Sequence, residues 1–291
     1  MFIQLKNHKA HIYEHNKSED LSSNIFIIHG AGMDHRISSM IDLSMFNTSH
    51  NIYSIDLPGH GFTSGEILHT VEDMAAYVIE IINEMDAVNN IFIGHSMGGL
   101  IAIELNLRVN SELTILMNTN YPLLVGEILL QHAKGNLDQA SEFFTKYGVY
   151  NVPPTKVKAK TFGSMGSGFY GRGKGTIQSP YGTKNIESDP QREIDVYPLK
   201  KLFNQTQKEI LSYDLKTCSL YKTNKLKDLK NLKFIYGGKD KLARYSEDSQ
   251  IHEYFDADTV YMMEDTGHFP YFERPLELSK VLEKIISSIY T

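Results

Sequence analysis

The most regular pattern in the chain is a series of short, mostly apolar runs. They lie at residues 25–28, 51–55, 91–93, 113–117, 232–236 and 259–263. Runs of this kind are typical of strands in a parallel sheet, because helices cover both faces of such a sheet. Two further runs, at 2–5 and 10–14, flank polar turn residues and predict a β-hairpin at the start of the chain.

Segments whose apolar residues have helical spacing lie between several of these runs. Between residues 71 and 85 the apolar positions fall on one face, and Thr70 is placed to cap the helix. Residues 100–107 continue a helix after the third run, and Pro275 begins a closing helix with one apolar face. Because strands and helices alternate, we predict an α/β fold that binds ligands at the carboxyl ends of its strands.

The alternation breaks in the middle of the chain, at residues 121–224. No buried strand is evident there, and helical patterns at 127–132 and 137–147 alternate with loops. We therefore predict an α/β core made of residues 1–120 and 225–291, which carries an inserted helical cap of residues 121–224.

Composition and charge limit the classes of partner. The chain has 291 residues, which suits one large domain with an insertion, and its net charge is −6. Because it has no basic surplus, we expect no nucleic-acid partner and no anionic membrane partner. The single cysteine, Cys218, excludes an internal disulfide and a cysteine-only metal site, and we expect it to be buried and structural.

The apolar runs are too short for targeting or membrane segments. Residues 1–9 lack the apolar core of a secretory signal, and no run approaches the roughly 20 apolar residues of a membrane span. We therefore expect a cytoplasmic protein without an integral membrane segment. No helix shows a sustained heptad seam, so the sequence leaves the oligomeric state open.

The most informative motif, Gly94-His95-Ser96-Met97-Gly98, follows one apolar run directly and precedes a helical pattern. A serine hydroxyl is a weak nucleophile unless it is held away from the backbone, beside a base and amide donors. A sharp strand-to-helix turn does this, and it requires glycine two residues either side of the serine. The motif alone is weak evidence, but its place between strand and helix predicts that Ser96 is a nucleophile.

An acid and a base follow Ser96 in the order of a catalytic triad. Asp240 and His268 each lie just past one of the last two apolar runs. All three residues can therefore meet at one edge of the sheet. There the acid would orient the histidine and stabilise its protonated form.

Three other aspartates compete for the role of the acid: Asp214, Asp258 and Asp265. Asp265 is too near His268 in sequence to approach its ring in the correct geometry. Asp214, in the last part of the predicted cap, is the more credible substitute.

The negative charge that develops in acyl transfer needs two amide donors. The Met97 N–H, at the start of the helix after Ser96, is predicted to be one, and the helix dipole favours it. The Ala31 N–H is predicted to be the second, because Gly30 and Gly32 let the backbone turn this amide inward.

The motif Asp56-Leu57-Pro58-Gly59-His60-Gly61 is interpreted as a tight structural turn in which the aspartate anchors loop amides. We do not assign His60 a catalytic role. His95 is expected to pack or to form a local hydrogen bond.

Together these motifs resemble the α/β-hydrolase superfamily. The resemblance rests on His29-Gly30-Ala31-Gly32, the Asp56 turn, Gly94 to Gly99, Gly238-Lys239-Asp240, and Gly267-His268 with Glu273 and Pro275. It covers the predicted core but not the cap, and Thr63 departs from it, because the family usually has serine there. The resemblance implies an eight-stranded, mostly parallel sheet, a helical cap after the sixth strand, and no cofactor.

We therefore expect a serine hydrolase that cleaves small-molecule carboxylic esters of small or medium acyl chains, similar to carboxylesterases and monoacylglycerol lipases. The alternatives are a thioesterase or a C–C bond hydrolase with the same triad, and, more remotely, a non-catalytic ligand receptor on the same fold. No residue is assigned as a metal ligand.

Residues of the predicted cap are candidates for an apolar acyl pocket. They are Phe143, Phe144, Phe162, Met165 and Phe169. The last three belong to a glycine-rich segment at 162–175. We interpret it as a flexible surface loop, with a mobile lid over the substrate as the alternative.

Overall fold

The structure, a computed structural model, describes residues 1–21, 23–150, 194–247 and 249–290. Within these ranges nine strands form one sheet. They are β1 (Phe2–Gln4), β2 (His8–Asn16), β3 (Asn24–Ile28), β4 (Asn51–Ile55), β5 (Ser64–Gly65), β6 (Asn90–His95), β7 (Ser111–Met117), β8 (Leu232–Gly237) and β9 (Val260–Met263). The predicted hairpin and the six predicted runs are all strands, and only their boundaries differ slightly.

The strands follow the order β1-β2-β4-β3-β6-β7-β8-β9, and the short β5 pairs with β2. The strands from β4 to β9 along this order are parallel, whereas β2 is antiparallel to β1, β4 and β5. The two-residue β5 is the strand that the expected count of eight did not include. Ile28 lies opposite both Ile55 and Gly94, so the loops after β3, β4 and β6 leave the sheet at one edge.

Burial explains why the runs are continuous rather than alternating. Every residue of β3, β4 and β6 is buried. A strand covered on both faces has no solvent-facing positions, so apolar residues predominate on each face and the sequence does not alternate.

In the described part of the core, four α-helices accompany the sheet: α1 (Val71–Glu84), α2 (Met97–Arg108), α7 (Pro270–Glu273) and α8 (Pro275–Ser287). As predicted, the Thr70 side chain caps α1, since its hydroxyl accepts a hydrogen bond from the Asp73 N–H at 3.0 Å. Together with the parallel sheet, these helices confirm the predicted α/β fold. No helix in the described ranges is both long and apolar enough to cross a membrane.

Residues 121–224, which we call the cap segment, follow β7. Their described part contains α3 (Glu127–Gly135), α4 (Leu137–Gly148), α5 (Tyr197–Asn204) and α6 (Lys208–Leu220). α3 packs against α4 and α6, α4 packs against α5, and α6 also contacts α2 of the core. The glycine-rich segment at 162–175 lies outside the described residues, so both interpretations of it stay predictions.

The sequence indicated α3 and α4 but not α5 and α6. In α6 the buried face carries Asp214 and Thr217 beside Leu211 and Leu215. Polar residues therefore interrupt the apolar stripe from which a buried helix is recognised.

Candidate active site

Ser96 lies at the junction of β6 and α2 in a strained conformation. Its φ is +53° and its ψ is −115°, outside the regions that residues with a Cβ normally adopt. The surroundings hold it there, since the Ser96 N–H donates to Met117 O at 2.9 Å and Ser96 O accepts from Gly99 N–H and Thr119 Oγ1, each at 2.9 Å. This is the geometry of a nucleophile elbow.

The glycines of the motif are required by close backbone contacts. A Cβ on Gly94 would lie 2.2 Å from Gly98 O, and a Cβ on Gly98 would lie 2.3 Å from Ile28 O. A Cβ on Gly99 would lie 2.0 Å from Thr119 Oγ1. Strand and helix can therefore approach closely enough to form the turn only when these side chains are absent.

His268 and Asp240 are brought together as predicted. His268 Nδ1 lies 2.7 Å from Asp240 Oδ2, and both side chains are buried. Because a carboxylate only accepts, Nδ1 must carry the proton, and Nε2 is left as the base when the ring is neutral.

The Asp240 carboxylate is itself fixed by three further donors. Asn118 Nδ2 donates to Oδ2 at 2.8 Å, and the Leu242 and Ala243 N–H groups donate to Oδ1 at 2.7 and 3.0 Å. Burial alone would raise the pKa of Asp240, but His268 and these hydrogen bonds outweigh it and hold the pKa below its usual value. The group is therefore an anion that cannot turn away from the histidine. Asn118, which follows β7, is a contributor that the sequence reasoning missed.

Among the described residues, no hydrogen bond joins His268 to any of the rival acids. Asp214 binds His60 Nε2 at 2.9 Å instead. Asp258 lies in a short 3-10 helix before β9, and the backbone carbonyl of Asp265 accepts from Arg274 Nε at 3.4 Å. The expectation that Asp214 is the best substitute for Asp240 is therefore wrong, because α6 directs its carboxylate to another histidine.

The loop around His268 is held by groups that sequence reasoning did not assign. The His268 N–H donates to Gly148 O at the end of α4, at 2.5 Å. The buried Glu273 carboxyl group, whose pKa burial raises to about 8, accepts from the Gly267 N–H at 2.8 Å and from the Phe269 N–H at 3.0 Å. Glu273 was part of the family resemblance, but nothing in the sequence linked Gly148 to the histidine.

The two predicted amide donors are available. Met97 is the first residue of α2, so its N–H has no partner within the helix. Within the described ranges, the Ala31 N–H also donates no hydrogen bond in the protein. Both residues are buried, and Ala31 lines the same cavity as Ser96 and His268.

That cavity has a volume of about 210 Å³ and a mostly apolar wall. Of the predicted pocket residues, Phe143 and Phe144 line it, whereas Phe162, Met165 and Phe169 lie outside the described residues. Other apolar residues of the wall, which the sequence did not indicate, include Leu123, Val125, Leu129, Phe203, Leu215, Leu242 and Phe269. Most of them belong to the cap segment, so their convergence depends on how its helices pack.

Two histidines near Ser96 are neutral and structural. Burial and the neighbouring His268 lower the pKa of His95 to about 3, and its Nε2 lies 2.8 Å from His268 O. This bond spans 173 positions and is not local, but the His95 ring packs against the rings of His268, Phe269 and Tyr271, which confirms the packing that was the other expected role. Burial and the neighbouring His60 lower the pKa of His29 to about 4.

Cys218 also lines the cavity but is not an activated thiol. Burial and the nearby Asp214 raise its pKa, so the thiol stays protonated. The expected buried, structural role is consistent with this environment.

In the described part of the chain, one group has potential metal-ligand atoms close together: His11, His35 and Asp56. His11 Nδ1 and His35 Nδ1 lie 2.7 and 2.9 Å from Asp56 Oδ2, and the His35 and Phe62 N–H groups also donate to this carboxylate. A cation would bind only if both rings released their protons. The contacts instead match the predicted structural role of Asp56 as an anchor for loop amides.

A larger cavity of about 730 Å³ lies elsewhere, beside Glu104, Arg108 and Tyr221. Arg108 and Tyr221 both bind the Glu104 carboxylate, and neither Ser96 nor His268 lines this cavity. The smaller cavity is therefore the candidate active site, because it combines a strained serine, an oriented histidine and free amide donors.

Comparison with known proteins gives one family. A model described as the alpha/beta hydrolase family matches residues 25–281. No curated protein matches the sequence.

Solved structures share the fold at low sequence identity. The chain is 18% identical to a thermophilic esterase, with a TM-score of 0.70 over 99% of this chain and 97% of that one. An esterase from Exiguobacterium antarcticum is 15% identical, with a TM-score of 0.71 over 100% and 99%. The enol-lactonase from Burkholderia xenovorans LB400 is 16% identical, with a TM-score of 0.73 over 99% and 100%.

Proposed function

Since the chain belongs to the alpha/beta hydrolase family, we propose that it is a serine hydrolase that cleaves carboxylic esters of small or medium acyl chains through an acyl-enzyme. The hydrogen bond of 2.7 Å between His268 and Asp240, at a cavity that Ser96 also lines, is the observation that carries this proposal.

In the proposed reaction, Ser96 Oγ attacks the acyl carbonyl carbon while His268 Nε2 takes the hydroxyl proton. Asp240 stabilises the imidazolium that forms. The carbonyl oxygen becomes an oxyanion, which accepts hydrogen bonds from the Ala31 and Met97 N–H groups. Each such donor is typically worth about 3 kcal/mol of transition-state stabilisation.

The second half of the reaction releases the acyl group. The imidazolium gives its proton to the leaving alcohol as the C–O bond breaks. Water, deprotonated by the same histidine, then attacks the acyl carbon and regenerates Ser96. The protonated Cys218 thiol in the cavity wall takes no part.

The lining of the cavity favours the binding of an apolar acyl chain over the binding of a polar group. Its wall is formed mainly by leucine and phenylalanine side chains, and its volume of about 210 Å³ is below the usual range for sites that bind drug-sized ligands. A small or medium acyl chain therefore fits this space better than a long one.

The test is turnover of p-nitrophenyl esters from acetyl to decanoyl, with labelling by a fluorophosphonate mapped by mass spectrometry. We expect turnover to peak at a short or medium chain, the label to attach to Ser96, and Ser96→Ala to lose both. Ser287→Ala, an exposed serine of α8, is the matched control and should keep both. Full turnover by Ser96→Ala would contradict the proposal, as would faster cleavage of thioesters or vinylogous diketones than of matched esters.

A further inference from the structure

Two sets of hydrogen bonds hold the loop that carries Ala31, and the core forms the first set. His29 Nδ1 donates to Gly30 O at 2.8 Å, and the Leu57 N–H donates to His29 Nε2 at 3.2 Å. These bonds fix the start of the loop directly after β3, and the first also orients the Ala31 N–H, because Gly30 O and the Ala31 N–H belong to one planar peptide group. They do not reach Gly32, which follows Ala31.

The cap segment holds the other side, through both polar backbone groups of Gly32. The Gly32 N–H donates to Asp214 Oδ2 at 2.8 Å, and Gly32 O accepts from Thr206 Oγ1 at 2.7 Å. Gly32 has a φ of +66°, and a Cβ there would lie 2.7 Å from Leu211 Cδ1 on α6. The peptide group that follows Ala31 therefore binds α6, and the next peptide group binds Thr206, which precedes α6.

Burial of the Asp214 carboxylate costs free energy of desolvation. This cost argues that the carboxylate has a specific role at its position. It is fully buried, and its hydrogen-bond partners among the described residues, the Gly32 N–H and His60 Nε2, both contact the same oxygen, Oδ2. Among the described residues the other oxygen, Oδ1, has no partner. A buried ion pair is weak evidence for stability, because desolvation offsets most of the attraction.

We infer that Asp214 and Thr206 are positioning residues for the oxyanion hole, so that the cap segment acts together with His29 in determining where the Ala31 N–H points. The inference rests on the proposed function, because it concerns the donor that would stabilise the oxyanion. If Thr206 and α6 were displaced, Gly32 would lose both its hydrogen bonds, and the Ala31 N–H would be held from the His29 side alone. Since the loss concerns the transition state, kcat falls while KM changes little.

Three substitutions test this geometry against a matched control. Asp214→Ala removes the acceptor from Gly32, and Thr206→Val removes the donor. Asp214→Asn places an amide oxygen at Oδ2 and an amide nitrogen at the partnerless Oδ1, so it retains both contacts. The control is Thr217→Val, which removes the 2.9 Å bond from Thr217 on α6 to His69 O in the core, away from the loop.

We expect Asp214→Ala and Thr206→Val to lower kcat by roughly 10- to 100-fold on p-nitrophenyl butyrate, with KM within about twofold. Asp214→Asn should recover most of this loss, and Thr217→Val should stay within about twofold of the wild type. The affinity for a trifluoromethyl ketone, which binds as an oxyanion, should fall by the same factor as kcat/KM.

Circular dichroism and thermal unfolding establish that each variant is folded, and Thr206→Val decides the matter if Asp214→Ala does not fold. The inference is overturned if Thr206→Val behaves like Thr217→Val, or if the ketone affinity stays unchanged while kcat falls. Those results, in a wild type that hydrolyses esters and is labelled at Ser96, would leave the proposed function intact. A wild-type protein that neither hydrolyses esters nor is labelled at Ser96 would overturn both the proposed function and this inference.

Discussion

Asp240 and His268 form a buried pair in which each group is fixed by its own set of hydrogen bonds. Asp240 Oδ2 lies 2.7 Å from His268 Nδ1, and the carboxylate also accepts from Asn118, Leu242 and Ala243. The pair is therefore built for one tautomer and one ring orientation.

Asp240→Asn should lower kcat by about 10,000-fold, because the amide can donate to Nδ1 and so favours the wrong tautomer of His268. Steady-state kinetics on p-nitrophenyl butyrate measure this. Asp265→Asn and Asp258→Asn, which replace the rival acids, should stay near the wild type. A large loss in either of these instead would assign the acid elsewhere.

Glu273 provides a second test of how His268 is held. Its carboxyl group accepts hydrogen bonds from three backbone N–H groups, those of Tyr150, Gly267 and Phe269. In Glu273→Gln the amide nitrogen must face at least one of these donors. We expect a loss of about 1–3 kcal/mol in the free energy of unfolding, measured by urea denaturation.

The same variant should also lose activity, between about 10- and 100-fold in kcat, because the loop shifts the histidine. Glu283→Gln, an exposed glutamate on α8, is the matched control and should change neither quantity. Wild-type kcat in a folded Glu273→Gln protein would show that the loop does not need this carboxylate.

Two glycine substitutions should have opposite effects on stability. Gly98→Ala places a Cβ 2.3 Å from Ile28 O and should cost about 1–3 kcal/mol or more. Gly135→Ala, at the end of α3, meets nothing within 4 Å and should raise stability by about 0.5–1 kcal/mol. Equal effects in urea denaturation would contradict the packing of the elbow.

The buried His60 should make stability depend on pH. Burial lowers the pKa of His60, but Asp214 outweighs it and raises the pKa above the ordinary value of 6.5. The folded state then holds the proton more tightly than the unfolded chain. This stabilisation is complete below about pH 6.5 and is lost as the pH rises through the folded-state pKa.

The free energy of unfolding should therefore differ more between wild type and His60→Gln at about pH 6 than at about pH 9. Urea denaturation at both values measures the difference. His132→Gln, a partly exposed histidine of α3, should show no such trend. If the difference in the free energy of unfolding between wild type and His60→Gln grew with pH instead, the pKa of His60 would be lowered in the folded state, not raised.

Phe144 offers a test of acyl-chain selection. It stacks on Phe203 with ring centroids 4.5 Å apart, and both rings line the cavity. Phe144→Leu should enlarge the pocket and raise the ratio of kcat/KM for decanoyl over butyryl esters by roughly 10-fold. Tyr147→Leu, an exposed aromatic on the same helix, should leave the ratio unchanged.

The sequence by itself determined the α/β core and the order of its chemical groups. Fully buried strands need continuous apolar runs, and the close approach of strand and helix around Ser96 needs glycine, so both leave local signals. Asp240 and His268 could be predicted because each directly follows such a strand, and parallel strands end at one edge of the sheet.

Only the tertiary structure decided which groups support these residues and what lines the cavity. The Asp214 contact with Gly32 spans 182 positions, and the Asn118 contact with Asp240 spans 122. Such contacts depend on how helices and loops pack after they form, and a polar residue on a buried helix face looks like a solvated one in sequence. The pairing of Asp214 with His60 rather than His268 was settled by the placement of α6, which no local pattern encodes.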